Sequence, residues 1–146
     1  MKFERQITVD ASKEEVRAFL EDVPAVAKCV PGVEEVTPVE PDVYDGKVRL
    51  RIGPLGMTIA GRARLEREGD VWRLHGEGRD SRVGAGAKAV LEATLTELTP
   101  ERTQVHIDAD VQFSGRLAEL GQPLIKRKAE AMVQEFAQNL QRVFAA

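Results

Sequence analysis

The 146-residue sequence contains few aromatic side chains: five Phe, one Trp and one Tyr, against 12 Gly. Aromatic residues supply much of the bulk in a large core. At about 100–200 residues per domain, the length predicts one domain spanning residues 1–146. We expect a domain of this size with so few large side chains to be either thinly packed or built around a cavity.

Other scarcities exclude whole classes of protein. The single cysteine, Cys29, cannot form an intramolecular disulfide, and with only two His it makes a poor ligand set for zinc. No apolar stretch resembles a secretory leader or approaches the roughly 18 residues that span a bilayer. The net charge of −3 disfavours nucleic acid as a partner. We therefore expect a cytoplasmic protein with neither a metal centre nor a covalently bound cofactor.

The first 30 residues predict a strand followed by two short helices. Residues 3–9 alternate between apolar and polar side chains, which is the period of a strand. Ser12 and Glu15 have the spacing of a capping box, which predicts a helix ending near Asp22. Pro24 favours a second short helix over residues 23–28, which Pro31 and Gly32 terminate.

Residues 33–113 alternate through five or six further strands joined by short turns, and this pattern is typical of an antiparallel meander with one apolar face. After Gly115 the period becomes helical, and we expect a long uninterrupted helix from Pro123 onward. The predicted fold is therefore α+β: a curved antiparallel sheet of about seven strands wrapped around a long C-terminal helix.

Small residues share the apolar side of the predicted strands with larger ones. They either let the helix approach the sheet closely or leave a pocket beneath it, and curvature of the sheet favours the pocket. Such a pocket would hold a hydrophobic ligand. Its predicted lining residues are Leu50, Ile52, Met57, Ile59, Trp72, Leu74, Gly76, Gly78, Ala87, Ala89, Leu91, Ile107, Ala109, Leu124, Met132 and Phe136.

The sequence places few reactive groups toward that pocket. The strand period predicts that His75 and His106 point away from it, and we interpret Cys29 as a buried structural residue because no His is near it in sequence. Arg5 is the one charged residue assigned to the inner side, where such a side chain commonly extends toward water. An enzyme would have to use Tyr44, Asp45 or Lys128.

Seven basic residues are predicted to point outward from neighbouring strands. They form either a solvated sheet face or a surface for an acidic partner or an anionic membrane. These residues are Lys47, Arg49, Arg51, Arg62, Arg64, Arg73 and Arg79.

Two segments resemble the G-subunit family of carbon monoxide dehydrogenase, which is part of the START-like, helix-grip (SRPBCC) superfamily. Residues 22–34 are similar to the family's Cys-x-Pro-Gly segment through Cys29, Pro31 and Gly32, and residues 113–121 are similar to the entrance of its last helix through Gly115 and Gly121. The resemblance covers essentially the whole chain. Position 17, commonly Trp in this family, is Arg17 here.

The resemblance implies an accessory protein of a molybdenum hydroxylase rather than an enzyme. Family roles include maturation, recruitment to the inner face of the membrane, and carriage of a quinone or another lipid-like ligand. Two alternatives remain: a polyketide cyclase-like enzyme of the same superfold, and an interaction adaptor with a filled core.

Overall fold

The computed structural model describes residues 1–145, which form a sheet of seven strands and three α-helices. The strands are β1 (Lys2–Val9), β2 (Val33–Glu40), β3 (Val43–Ile52), β4 (Leu55–Glu68), β5 (Val71–Asp80), β6 (Ala85–Thr99) and β7 (Arg102–Gly115). The helices are α1 (Lys13–Glu21), α2 (Val23–Ala27) and α3 (Gln122–Val143), and a 3-10 turn at Ala118–Leu120 precedes α3.

All neighbouring strands are antiparallel, in the order β1-β7-β6-β5-β4-β3-β2. Six strands follow one another along the chain as hairpins, and β1 pairs with β7 at the far side. The predicted α+β fold, with a curved sheet around a long C-terminal helix, is confirmed. The predicted capping box also forms, since the Glu15 amide donates to the Ser12 hydroxyl over 3.2 Å.

One face of the sheet packs against α3, and we call it the inner face. It carries two separate apolar cores. The first core joins Ile7, Trp72 and Val105 to α1 and to Leu140 near the end of α3. The second core joins Ile52 and Met57 to Leu117, and Leu124 at the start of α3 packs against it. The two ends of α3 therefore hold the sheet through different sets of contacts.

Polar contacts fasten α1 over the first core. Lys13 and Arg17 both pair with Asp70 in the β4–β5 turn, and the Arg17 guanidinium lies 5.6 Å from the centroid of the Trp72 ring. One turn further along α1, the Glu21 carboxylate accepts a hydrogen bond from the Trp72 indole over 2.6 Å. Arg17 thus lies directly against Trp72, and this is the position at which the family commonly has a Trp of its own.

Strands β4 and β5 approach each other closely at a pair of glycines. Gly61 is opposite Gly78 in the register. A Cβ atom on Gly61 would lie 2.0 Å from the Glu77 carbonyl oxygen, and one on Gly78 would lie 2.9 Å from the Ala60 carbonyl oxygen. Because real Cβ atoms do not come so close to backbone, both positions require glycine.

Candidate functional site: the inner face between two cores

The predicted lining residues divide into three groups along α3. Trp72, Leu74, Ile107 and Phe136 belong to the first core or pack on it. Those at the second core are Leu50, Ile52, Met57, Ile59, Ala87 and Leu124. The rest belong to neither core, and we call them the central band: Gly76, Gly78, Ala89, Leu91, Ala109 and Met132.

The central band keeps accessible surface although it lies in the middle of the domain. Ala109 is buried, whereas the other five residues are only half-buried. A half-buried apolar side chain has room for at least water-sized atoms beside it. Four of the five strand residues of the band are Gly or Ala, and α3 contributes Met132. The inner face is thus closed at both ends and looser between them.

The residues of the central band offer no acid–base chemistry, since all six are apolar or glycine. One buried charged group on the inner face was not predicted from the sequence. Asp80, the last residue of β5, has the same strand parity as Trp72 and is 7% exposed. The expectation that Arg5 is the one charged residue with this parity is therefore wrong.

The surroundings of Asp80 give it a structural role. Its carboxylate accepts hydrogen bonds from the backbone amides of Thr58, over 2.9 Å, and Arg82, over 3.0 Å. The Thr58 amide is the main reason that the pKa of Asp80 is lowered. An Asp that begins a turn commonly accepts a bond from the amide two residues later, so the Asp-Ser-Arg sequence contained a signal for this residue.

The Cys-x-Pro-Gly segment connects helix and sheet. The Cys29 carbonyl accepts a hydrogen bond from the Asn139 side chain of α3 over 2.9 Å. Gly32, with a φ angle of 87°, accepts one from the Arg49 amide of β3 over 2.8 Å. A Cβ on Gly32 would lie 2.2 Å from the Arg49 carbonyl oxygen. Pro31 is half-buried between these two anchored residues.

The Cys29 side chain is buried, at 4% exposure, and desolvation raises the pKa of its thiol. A raised pKa keeps the thiol protonated and weakly nucleophilic. At the other motif, Gly115 ends β7 and Gly121 precedes α3, and their φ angles of 63° and 89° turn the chain into the last helix. The motif residues thus shape the backbone around the inner face.

The seven basic residues lie on the outer face, as their strand parity predicts, but this face carries acids as well. Arg62 pairs with Asp45 at 2.8 Å and Arg49 with Glu34 at 2.9 Å. Five of the seven have such a partner; Arg51 and Arg79 form no ion pair among residues 1–145. Across β2–β7 the outer face forms an open trough of about 900 Å³ with mixed charge.

Both histidines have outward parity, as expected. His75 lies 3.6 Å from the Glu66 carboxylate, and His106 lies 3.3 Å from Asp108 and 3.5 Å from Glu4. The potential ligand atoms of Glu4, His106 and Asp108 lie within 4.8 Å of one another on the exposed side of β1 and β7. No other group of three such side chains occurs among residues 1–145.

The three residues that an enzyme could use do not lie on one face of the sheet. Asp45 points outward and pairs with Arg62, and the Arg62 guanidinium lowers the pKa of this carboxyl by hydrogen bonding. Tyr44 has the opposite parity and is half-buried. Lys128 is half-buried on α3 between Leu124 and Met132. Asp45 therefore lies outside the candidate site, whereas Tyr44 has the strand parity of the inner face.

A curved antiparallel sheet closed by a long C-terminal helix is the START-like fold, and solved structures share it. A conserved protein from Geobacillus kaustophilus matches with a TM-score of 0.87 and 18% identity, covering 99% of this chain and 95% of that one. A START superfamily protein from Mycobacterium smegmatis matches with a TM-score of 0.71 and 16% identity, covering 98% and 96%.

The Zhui aromatase/cyclase of a Streptomyces species is similar as well, with a TM-score of 0.65, 19% identity and coverage of 99% and 96%. At these identities the likeness concerns the fold. The comparison with curated proteins gave no match. The family model of CoxG, the G subunit of carbon monoxide dehydrogenase, matches residues 6–145, and the chain belongs to that family.

Among residues 1–145, no helix combines the length and apolarity needed to cross a membrane.

Proposed function

We propose that this protein binds a hydrophobic small molecule, quinone-like or lipid-like, between α3 and the central band. The observation that carries the proposal is the division of the inner face into two cores with half-buried apolar residues between them. Without a ligand, the protein leaves this apolar surface accessible to water. A ligand that covers it would stabilise the complex by about 25 cal/mol per Å² of buried apolar surface.

The wider role we propose is accessory: assistance to a molybdenum hydroxylase by maturation, recruitment or quinone carriage. Membership of the CoxG family supports it. The lack of an acid–base pair in the central band also disfavours a cyclase-like catalyst. This role predicts that a tagged form copurifies with a molybdenum hydroxylase from its native host. If no molybdenum hydroxylase copurifies under conditions that preserve such complexes, the accessory role is contradicted. The proposal of ligand binding would still stand.

Substitution of Ala89 by Phe tests the ligand site directly. Ala89 lies in the central band, opposite Gly76 and Val111 in the register. If the space beside it holds a ligand, Ala89→Phe should fill that space, leave the free energy of unfolding unchanged or raised, and abolish ligand binding. The measurements are urea denaturation and mass spectrometry of organic extracts from purified wild type and variant.

Ala85→Phe is the matched control, because Ala85 lies on the same strand and face but is 2% exposed within the second core. It should overpack that core and lower the free energy of unfolding by about 1–3 kcal/mol. Equal destabilisation by both substitutions, with no ligand in extracts of the wild type, would overturn the proposal in favour of a helix packed directly on the sheet.

A further inference from the structure

Three side chains that can bind a metal ion lie together on the outer face of β1 and β7: Glu4, His106 and Asp108. His106 and Asp108 are two residues apart on β7, so both point to the same side of the sheet. Glu4 is opposite Asp108 in the register of β1 and β7. The pairing of the two strands therefore fixes all three backbone positions, and a site on strands is held more precisely than one on loops.

The distances between their ligand atoms match those around a tetrahedral zinc ion. His106 Nε2 lies 3.3 Å from Asp108 Oδ2 and 3.5 Å from Glu4 Oε1. Two ligand atoms that each bind one zinc ion at about 2.0–2.1 Å, in tetrahedral geometry, lie about 3.3–3.4 Å apart. Both observed distances are longer than the roughly 2.7–3.2 Å of an N–H···O hydrogen bond. Direct hydrogen bonds from His106 therefore do not account for this arrangement.

The two carboxylates of this group are not neutralised by a basic side chain of another strand. Among residues 1–145, Glu4 and Asp108 form no ion pair with Lys or Arg. Glu92, which is opposite Asp108 on β6, differs because it pairs with Arg73 at 3.2 Å. Like charges directly opposite each other on neighbouring strands destabilise a sheet. A divalent cation would remove the repulsion between Glu4 and Asp108, whose two negative charges would balance its own.

We propose that Glu4, His106 and Asp108 form a binding site for a divalent transition-metal ion of the zinc type. An imidazole ligand favours such ions, whereas magnesium and calcium favour oxygen ligands alone. Three protein ligands leave the fourth position of the ion to water. A bound ion would join the edge strand β1 to β7.

This metal site is independent of the proposed function, because it lies on the opposite side of the sheet from the central band. It departs from the expectation of no metal centre, which rested on composition. Two His and one Cys are a poor ligand set by count, and the carboxylate of β1 joins His106 only through strand pairing over about a hundred residues of chain.

Calorimetric titration of the metal-free, untagged protein with zinc chloride tests the site. We expect wild type to bind one zinc ion per chain, and to bind magnesium far more weakly. His106→Ala should weaken zinc binding by at least about ten-fold, since loss of an outer-shell partner alone commonly costs that much. Glu4→Gln should weaken it as well. Zinc should raise the melting temperature of wild type, because a ligand of the folded state stabilises it, and should not raise that of His106→Ala.

Two variants are matched controls, and both should bind zinc like wild type. His75→Ala removes the other histidine of the chain, which also lies on the outer face, 3.6 Å from the Glu66 carboxylate. Asp110→Asn removes a carboxylate from the same face of β7, but Asp110 lies 3.7 Å from the N-terminal amine instead. Thermal unfolding without zinc verifies that each variant is folded. Glu4→Gln, relieved of the repulsion with Asp108, should then melt no lower than wild type.

Three results would overturn the proposal. The first is that wild type binds no zinc at millimolar concentration. The second is that it binds magnesium as tightly as zinc, which would contradict the class of metal. The third is that zinc binding is undiminished in His106→Ala, or is lost equally in His75→Ala, which would contradict the assignment to these residues. The proposed function of the central band would stand in all three cases.

Discussion

The first core and the central band share one sheet and one helix, yet they are packed differently. Leu140 and Val16 in the first core are 0% exposed, and a second layer of polar contacts through Asp70 and Glu21 covers that core. In the central band, Ala89 and Met132 keep accessible surface. The comparison teaches that one sheet and one helix can be packed tightly in one region and less tightly in the next, where we propose that the ligand binds.

The largest expected effect comes from shortening one side chain of α3, either in the first core or in the central band. Leu140→Ala should lower the free energy of unfolding by about 2–5 kcal/mol, the usual result of emptying space in a closed core. Met132→Ala should lower it by less than about 1 kcal/mol, because a half-buried side chain loses less burial. Urea denaturation of the ligand-free protein measures both. Comparable losses would show that the band is packed as tightly as the core.

A smaller effect is expected from the polar contacts that cover the first core. Lys13, with help from Arg17, lowers the pKa of Asp70, so the ionised carboxylate stabilises the folded state. That stabilisation is present above the unfolded-state pKa of about 3.9 and is lost as the pH falls through the lower folded-state value. Asp70→Asn should therefore lower the melting temperature at pH 7, and the difference from wild type should shrink below about pH 4.

Asp45→Asn is the control for that experiment. Asp45 also has a lowered pKa, through Arg62, but it belongs to one exposed pair on the outer face, and such pairs contribute little. Its effect on the melting temperature should be clearly smaller than that of Asp70→Asn. A difference between Asp70→Asn and wild type that does not depend on pH would contradict the assigned role of the Asp70 charge.

The smallest effect is expected on the outer face. Most of its bases are neutralised by neighbouring acids, so only Arg51 and Arg79 of the seven are left to attract an anionic surface, at about 1 kcal/mol each. We expect weak binding to phosphatidylserine vesicles that decreases with salt and disappears in the Arg51→Glu, Arg79→Glu double variant. Cosedimentation measures it, with Lys126→Glu as the control. Binding insensitive to both salt and substitution would rule out this face.

Local signals made most elements predictable. Three of these signals depend only on neighbours in the chain. They are the alternation in β1 and β3–β7, the Ser12–Glu15 capping box and the helical period after Gly121. The family motifs were recognised by resemblance, and the positive φ angles of Gly32 and Gly115 show what two of their glycines do.

Contacts between distant segments were less predictable. Asp80 was missed because its partner, the Thr58 amide, comes from the neighbouring strand. The outer face was interpreted as basic because the bases were counted without the acids that lie beside them in other strands. Gly61 was also missed, since its need for glycine arises from the Glu77 carbonyl of β5.

The sequence by itself determined the order and period of the elements, the face that each strand turns inward and the place of the long helix, because these follow from side-chain patterns within a few residues. Only the tertiary structure decided that the inner face divides into two cores and that Arg62 and Asp45 neutralise each other. The physical reason is that burial and charge pairing depend on how far α3 stands from the sheet and on which strands become neighbours.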